Sequence, residues 1–334
     1  MKKMKKMITK IHSFITILAC LTTVAATHAQ TGTAAYEFLN VPISAHSAAL
    51  GGNNVSAVED DATLLFNNPA LLVNVADRTL NFNFTSYMAS STKLSAAFVK
   101  QAGERGAWAL GAQVLNYGEM TETNENFETL GKFSANDIGV QGGYTYLLTD
   151  QWTGGVQGKV LLSNYGEFNS AALAVDLGVN YYSEERGFSF SLVAQNLGGQ
   201  VDALYEKNEK IPFNLVAGVS KDLANAPIRI SLTMQDLTHW DKDYYTVVGS
   251  HLSSSRRFFN HLSLGADLFP SAQTWVALGY NFRRAYEMKV LDSSHWAGLS
   301  LGAGLSIKRF KVGVAYGKYH VASSSLLLNA SYSL

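Results

Sequence analysis

The last ten residues, SLLLNASYSL, alternate in character one position at a time. Leu334, Tyr332, Ala330, Leu328 and Leu326 fall on one face, and Ser333, Ser331 and Asn329 on the other, with Leu327 the single breach. A period of two is the signature of a strand with one apolar and one wet neighbour. The same alternation returns along the chain from about residue 78. RTLNFNFTSY places Leu80, Phe82 and Phe84 in phase, and SAALAVDLGVNYY sets Leu173, Val175, Leu177, Val179 and Tyr181 against Ala174, Asp176, Gly178 and Asn180. GAWALGAQVLNYG, NDIGVQGGYTYLL, HLSLGADLF, TWVALGYNF, AGLSLGAGLSI and FKVGVAYG repeat it. The non-apolar phase is Gly, Ser, Asn, Gln and Asp, whereas a soluble sandwich would place Lys and Glu there. These segments are about ten residues long, the length a tilted strand needs to cross a bilayer.

The pattern predicts an all-β chain: a transmembrane outer-membrane β-barrel of about fourteen antiparallel strands over residues 78–334. Long connections are expected near 118–135, 198–210, 237–260 and 284–295, and short ones near 102–105, 148–150, 183–186, 222–225, 270–271 and 308–309. That order suits both termini in the periplasm, tight turns inside and long loops outside, provided YYTVVGS (244–250) belongs to a loop. Tyr87, Tyr117, Tyr146, Trp152, Tyr181, Trp275, Phe282 and Trp296 lie near segment ends, as interfacial girdles require. Ending flush on a strand also suits closure of the last strand onto the first.

Residues 30–77 break the alternation. SAHSAALGGNNVSAVEDDATLLFNNPALL reads as small-residue turns and a short helix near Asp61–Phe66, with Asp60 and Asp61 as its caps and a turn at Asn67-Asn68-Pro69-Ala70. Too short for a core of its own, this segment is expected to plug the barrel as a hatch.

Residues 1–29 read as a secretory signal peptide: basic MKKMKKMITK, an apolar stretch, then a small-residue site with cleavage after Ala29. Ile17-Leu18-Ala19-Cys20 fits a lipoprotein box poorly. After the leader no apolar run reaches eighteen residues, which excludes a helical membrane protein. Five of the 26 basic residues leave with the leader, so 21 face 26 acidic ones, a net charge of −5. Nothing there points to nucleic acid. Cys20 is the only cysteine, so the processed chain has no disulfide or thiolate chemistry.

Enzyme chemistry finds little support. Gly298-Leu299-Ser300-Leu301-Gly302 matches a nucleophile elbow, but it lies inside a strand pattern, where Ser300 would face the lumen. His46, His239, His251, His261, His295 and His320 have no metal-ligand spacing, and Asp241 and Asp243 lack the rest of a calcium loop. No metal or other cofactor is expected. Arg256-Arg257 and Arg283-Arg284, on or beside outer loops, suit phosphate or carboxylate recognition and are candidate contacts to a partner or to lipopolysaccharide.

SAALGGNNVSAVEDDATLLFNNPALL resembles the hatch of the FadL-like outer-membrane barrels, with Asp60-Asp61 at the acidic pair and Asn68-Pro69-Ala70 at the turn. NYGEMTETNENFETLGKFSANDIGVQGGY, SLVAQNLGGQ, IPFNLVAGVS, LTHWD, ALGYNFRRAYEMKV and the terminal strand resemble the PorQ-type branch; PorV-type barrels share the hatch and the GYNFRR segment. The resemblance spans nearly the whole processed chain. It implies a non-enzymatic component of the type IX secretion system, holding a PorZ-like surface protein beside a PorV-like barrel and a PorU-like sortase. That complex joins cargo to anionic lipopolysaccharide. FadL-like uptake of hydrophobic compounds is the alternative, and it would call for an apolar pocket behind the hatch and a strand that kinks inward.

Overall fold

A computed structural model describes residues 35–124, 126–203, 208–240, 252–287, 296–319 and 324–334. Fourteen antiparallel strands form a closed barrel. They are β1 Thr79–Ser86, β2 Thr92–Ala102, β3 Gly106–Thr123, β4 Thr129–Leu147, β5 Trp152–Tyr165, β6 Phe168–Ser183 and β7 Phe188–Asp202. There follow β8 Asn214–Asp222, β9 Ile228–Met234, β10 Leu262–Ser271, β11 Thr274–Asn281, β12 Leu299–Ile307, β13 Phe310–Gly317 and β14 Ser325–Ser333. Each strand pairs with its chain neighbours, and β14 closes on β1 with Thr79 opposite Ser333 and Ser86 opposite Leu326. The count matches the alternation, and YYTVVGS lies outside the described residues. No described helix is long and apolar enough to cross a membrane.

Alternation decides which face each side chain takes. On β6, Leu173 is 52% exposed on the outer wall, while the neighbouring Asp176 is fully buried on the inner one. On β14, Leu326, Leu328 and Tyr332 face outward, 42–43% exposed, and Leu334 just past it is 51% exposed. Leu327, the breach in the pattern, is completely buried and packs with Ala45, Ala48 and Ala49 of the hatch. It is an inward strand position that needs an apolar partner.

Six connections of two to five residues mark one end of the barrel, where both the first strand begins and the last strand ends. By the usual rule this is the periplasmic end. The other end is less uniform than expected. Residues 118–135 are mostly not a loop: β3 and β4 run on as a two-stranded ribbon, leaving only 124–128 as the connection. Its apolar residues, Met120, Leu130 and Phe133, are too few to keep a regular alternation in the sequence, although its backbone pairing continues past a bulge after Asn116. The β7 strand likewise reaches Asp202, shortening the expected 198–210 connection from its front. Between β5 and β6 the outer turn is only Gly166-Glu167, with Gly166 at φ +60°.

The hatch holds α1 (Ala45–Ala49), α2 (Leu64–Asn67) and a 3₁₀ helix, Pro69–Asn74. It touches all fourteen strands, from Asn81 on β1 round to Asn329 on β14, which places it inside the closed ring. The amide of Ala35 donates to the carbonyl of Lys210 in the outer β7–β8 connection. At the other end, Asp60 meets Lys311 near the short turns. The hatch therefore runs the height of the barrel, and its first described residue lies opposite the end where the strands begin and finish.

Candidate functional site

The chemistry of this chain gathers where the hatch meets the wall. Asn68 caps the 3₁₀ helix, its Oδ1 accepting from the Ala70 amide at 3.0 Å while its Nδ2 donates to the Val55 carbonyl at 2.8 Å. Pro69 occupies the first helical position, where a missing N–H costs nothing. Asn67 donates to Ser47 Oγ and to the Asn54 carbonyl, and its own carbonyl accepts from Gln195 on β7. The wall makes room for this turn with glycine. A Cβ at Gly155 would overlap the Pro69–Ala70 backbone, and one at Gly178 would strike Asn68 Oδ1.

The acidic pair divides its work, and neither residue caps a helix as expected. The helix starts later, at Leu64, after Thr63. Asp61 accepts from the Thr63 amide at 2.9 Å and from Asn81 at 3.1 Å, with Asn329 at 3.4 Å, tying the hatch to β1 and β14. Burial, with Glu59 nearby, pushes the Asp61 carboxyl up to about 6. Asp60 instead accepts from the Ala76 amide and pairs with Lys311 on β13.

A second cluster escaped sequence reasoning. His46 lies buried on α1 between Glu59, at its Nδ1, and Asp267 Oδ1 on β10, 2.7 Å from its Nε2. Its ring stacks on Trp275 at 4.1 Å, so Trp275 is an inward residue and not part of the girdle expected for it. Arg229 on β9 donates to Asp267 Oδ2 at 2.8 Å and to the Val58 carbonyl at 3.1 Å. Burial alone would lower the His46 pKa, but Glu59 and Asp267 outweigh it and raise it to about 9. The imidazole is therefore protonated near neutrality and donates from both nitrogens. Lys159 pairs with Asp176 at 2.7 Å, and Lys93 donates to the Phe38 and Val41 carbonyls. The lumen thus contains lysine and arginine as well as the Gly, Ser, Asn, Gln and Asp read from the sequence. A signal existed: Arg229 and Asp267 stand in phase with small residues on their strands, so each needed an internal partner.

Outer-end arginines divide as well. Arg256 lies on α3 (Ser254–Asn260), exposed, with its guanidinium over the Tyr286 ring at 4.5 Å. Arg257 neighbours it on the same helix. On α4 (Phe282–Glu287), Arg283 pairs with Asp236 at 3.0 Å and donates to the Asn260 carbonyl. Arg284 stacks over Tyr319 at 4.0 Å and reaches the Gly51 carbonyl of the hatch. Both α4 arginines are thus engaged within the protein. Between the two helices runs an aromatic chain, Trp240 to Phe258, then Phe259 to Phe282.

Other sequence candidates fall apart on the wall. Ser300 Oγ donates to the Ala49 carbonyl at 3.0 Å, an ordinary hatch contact. Tyr117 points inward and donates to Asp137. His251, His295, His320, Asp241 and Asp243 lie outside the described residues. Among the described residues no three His, Cys, Asp or Glu side chains are grouped to hold a metal ion.

No protein-family model and no curated protein matches the chain. Among solved structures, the Pseudomonas putida toluene transporter TodX is similar at TM-score 0.55 and 11% identity, covering 87% of this chain and 97% of that one. CymD, a monoaromatic hydrocarbon channel, is similar at TM-score 0.52 and 13% identity, over 88% and 98%. What this likeness shows is the fold, a closed antiparallel β-barrel like those of the two neighbours.

Proposed function

We propose that this chain anchors a surface protein at the outer membrane, as a PorQ-type component of a type IX secretion attachment complex. The observation that carries the reading is the shape of the outer end. There β3 and β4 continue pairing beyond Asn116 and Ala135, where their neighbours β2 and β5 stop, and the ribbon tip exposes Phe127 and Leu130. On the far side of the ring, in the β9–β10 and β11–β12 connections, α3 and α4 build a platform of aromatics carrying Arg256. A hatch that touches every strand leaves that end as a scaffold. The sequence resemblance supplies the partner, a PorZ-like protein working with a PorV-like barrel and a PorU-like sortase. Purification from outer membranes in mild detergent should bring down a stoichiometric surface protein, lost when residues 118–133 are replaced by a short turn. A deletion strain that keeps its sortase-processed cargo on the cell surface would sink the idea.

Uptake of hydrophobic compounds is the second reading, and the solved-structure likeness weighs toward it, since TodX and CymD are named as hydrocarbon transporter and channel. Within this chain it draws support from the bulge on β7 at Gln195–Asn196, opposite Asp176, with Asn196 at φ +60°. Toluene uptake by whole cells separates the two: a transporter's deletion slows entry, and an anchor's deletion does not.

A further inference from the structure

We propose that the membrane-facing wall of β14, β1, β2 and β3 holds one anionic phospholipid, with an acyl chain in a trough and its head at the basic periplasmic rim. The trough comes from the order of side-chain sizes on the outer face. Register aligns Leu328, Phe84, Leu94 and Val114 in one row across these strands, and Tyr332, Leu80, Phe98 and Leu110 in another. The row between them reads Ala330, Phe82, Ala96 and Ala112. Small side chains at Ala96 and Ala112, with ridges on either side, leave a hollow of about 550 Å³. It ends at Val140 on β4, which stands opposite Ala112 and restores the height of the wall.

What fills a hollow is set by what surrounds it. Phe82 and Leu94 beside it are 58% and 54% exposed, so it opens toward lipid and not into the lumen. Asn83, Ser95, Gln113 and Asn329 also border it, but they belong to the inward phase of their strands, and Asn83 is bonded to Ser95 and Asn329 within the barrel. The accessible lining is thus hydrocarbon, and the groups that reach it from the bilayer are acyl chains. Strands of such barrels tilt by about 35–45°, so a row perpendicular to them slants across the membrane by the same angle. An acyl chain entering from the periplasmic leaflet can lie along that slant.

The head is placed by charge. Lys100 stands on the outward phase of β2, four residues and about 13 Å toward the periplasmic end from Ala96. It is exposed, opposite Trp108 on β3, and has no partner among the described residues. Trp108 packs edge-on to Phe98 at 5.7 Å, an aromatic at the height where headgroups begin. On this side of the rim Lys308, Arg309, Arg78 and Arg105 join Lys100, against Glu104 and an Asp77 that Arg78 already pairs. The other side reverses the balance, with Asp150, Glu184, Glu185 and Asp222 outnumbering Arg186 and Lys221. A head with net negative charge is therefore drawn to the side that carries the trough, and a zwitterionic head is not.

Native mass spectrometry of the chain purified from outer membranes in mild detergent tests this, with phosphatidylglycerol and phosphatidylethanolamine of identical acyl chains as probes. Phosphatidylglycerol should leave an adduct about fivefold more populated than that of phosphatidylethanolamine, the factor one basic side chain gives beside anionic lipid. Lys100→Glu should bring the two lipids level. A96L/A112L should remove the adduct of either lipid while the barrel still migrates as a heat-modifiable, folded species. Equal occupancy of the two lipids in the wild type overturns the proposal, as does a folded A96L/A112L that keeps its adduct or a Lys100→Glu that keeps the preference. A dimer of this chain that A96L/A112L dissolves also overturns it, giving the trough to a second copy. If the double variant does not fold, Ala112→Met makes the same comparison at one position.

Discussion

The hatch meets the two halves of its wall by different physics. Against β9 to β13 it adds charge to close seats at Gly265, Gly279 and Gly302: His46 between Glu59 and Asp267, Arg229 on Asp267 and on the Val58 carbonyl, Lys311 on Asp60. Against β3 to β6 it is held by shape, with glycines letting Pro69–Ala70 and Leu65 approach the backbone directly. A charged contact is strong only while every member stays paired in a dry place. A shape contact tolerates salt and pH but not one extra carbon. The two halves should therefore fail under different insults.

The largest effect is expected at Asp267, whose side chain is fully buried and holds both His46 and Arg229. Asp267→Ala leaves Arg229 without a carboxylate and His46 with Glu59 alone, which costs about 3–5 kcal/mol for a broken buried pair. Urea unfolding in detergent should register the loss, and high salt should not restore it. On the opposite half, Gly155→Val drives carbon into the Pro69–Ala70 backbone and should cost about 1–3 kcal/mol. Gly158, on the same strand, has open space where its Cβ would stand, so Gly158→Val should change stability by less than about 0.5 kcal/mol. Equal effects at the two glycines would refute a shape-held half.

A smaller response is expected from pH. The folded His46 pKa is raised to about 9 from an ordinary 6.5, so the stabilisation it gives is complete below about 6.5 and fades as pH rises through 9. Neutral imidazole still donates one hydrogen bond, so only part of the anchorage goes. Unfolding midpoints measured from pH 6 to 10 should fall for the wild type, and His46→Gln should flatten that slope. A slope unchanged in the variant would remove His46 from the charged half.

These halves were not equally visible beforehand. Strand alternation is a local property, and a side chain's face follows from its neighbours two positions away. Hence the fourteen strands, and Leu327 as an exception, could be read directly. The Asn68-Pro69-Ala70 turn was also local, because Asn68 and Pro69 fix their own backbone. His46 and Asp267 are 221 positions apart, and no local pattern announces their meeting. The ribbon of β3 and β4 hid for the opposite reason, since pairing in water needs no apolar phase. Arg283 and Arg284 looked like free loop cations only while Asp236, Tyr319 and Gly51 were distant in sequence. The secretion role rests on resemblance, and the likeness to solved structures concerns the fold alone. Fold was legible in short-range periodicity; the site was a matter of long-range pairing.

The smallest effect should come from the remaining ion pair, and it is the sharpest check on the charged half. Lys311 and Asp60 keep 24% and 39% of their side chains exposed near the periplasmic end, unlike the dry pair at Asp267. Water screens them, so Lys311→Met should cost only about 0–1 kcal/mol. The deficit should shrink further in 1 M salt, where screening acts within about 3 Å. Asp60 keeps its bond from the Ala76 amide in the variant, so the hatch end stays capped. If Lys311→Met instead cost as much as Asp267→Ala, burial would not be what separates strong from weak anchors. The hatch would then hang from its periplasmic end, and the division of the wall into a charged half and a shaped half would have to be redrawn around Lys311.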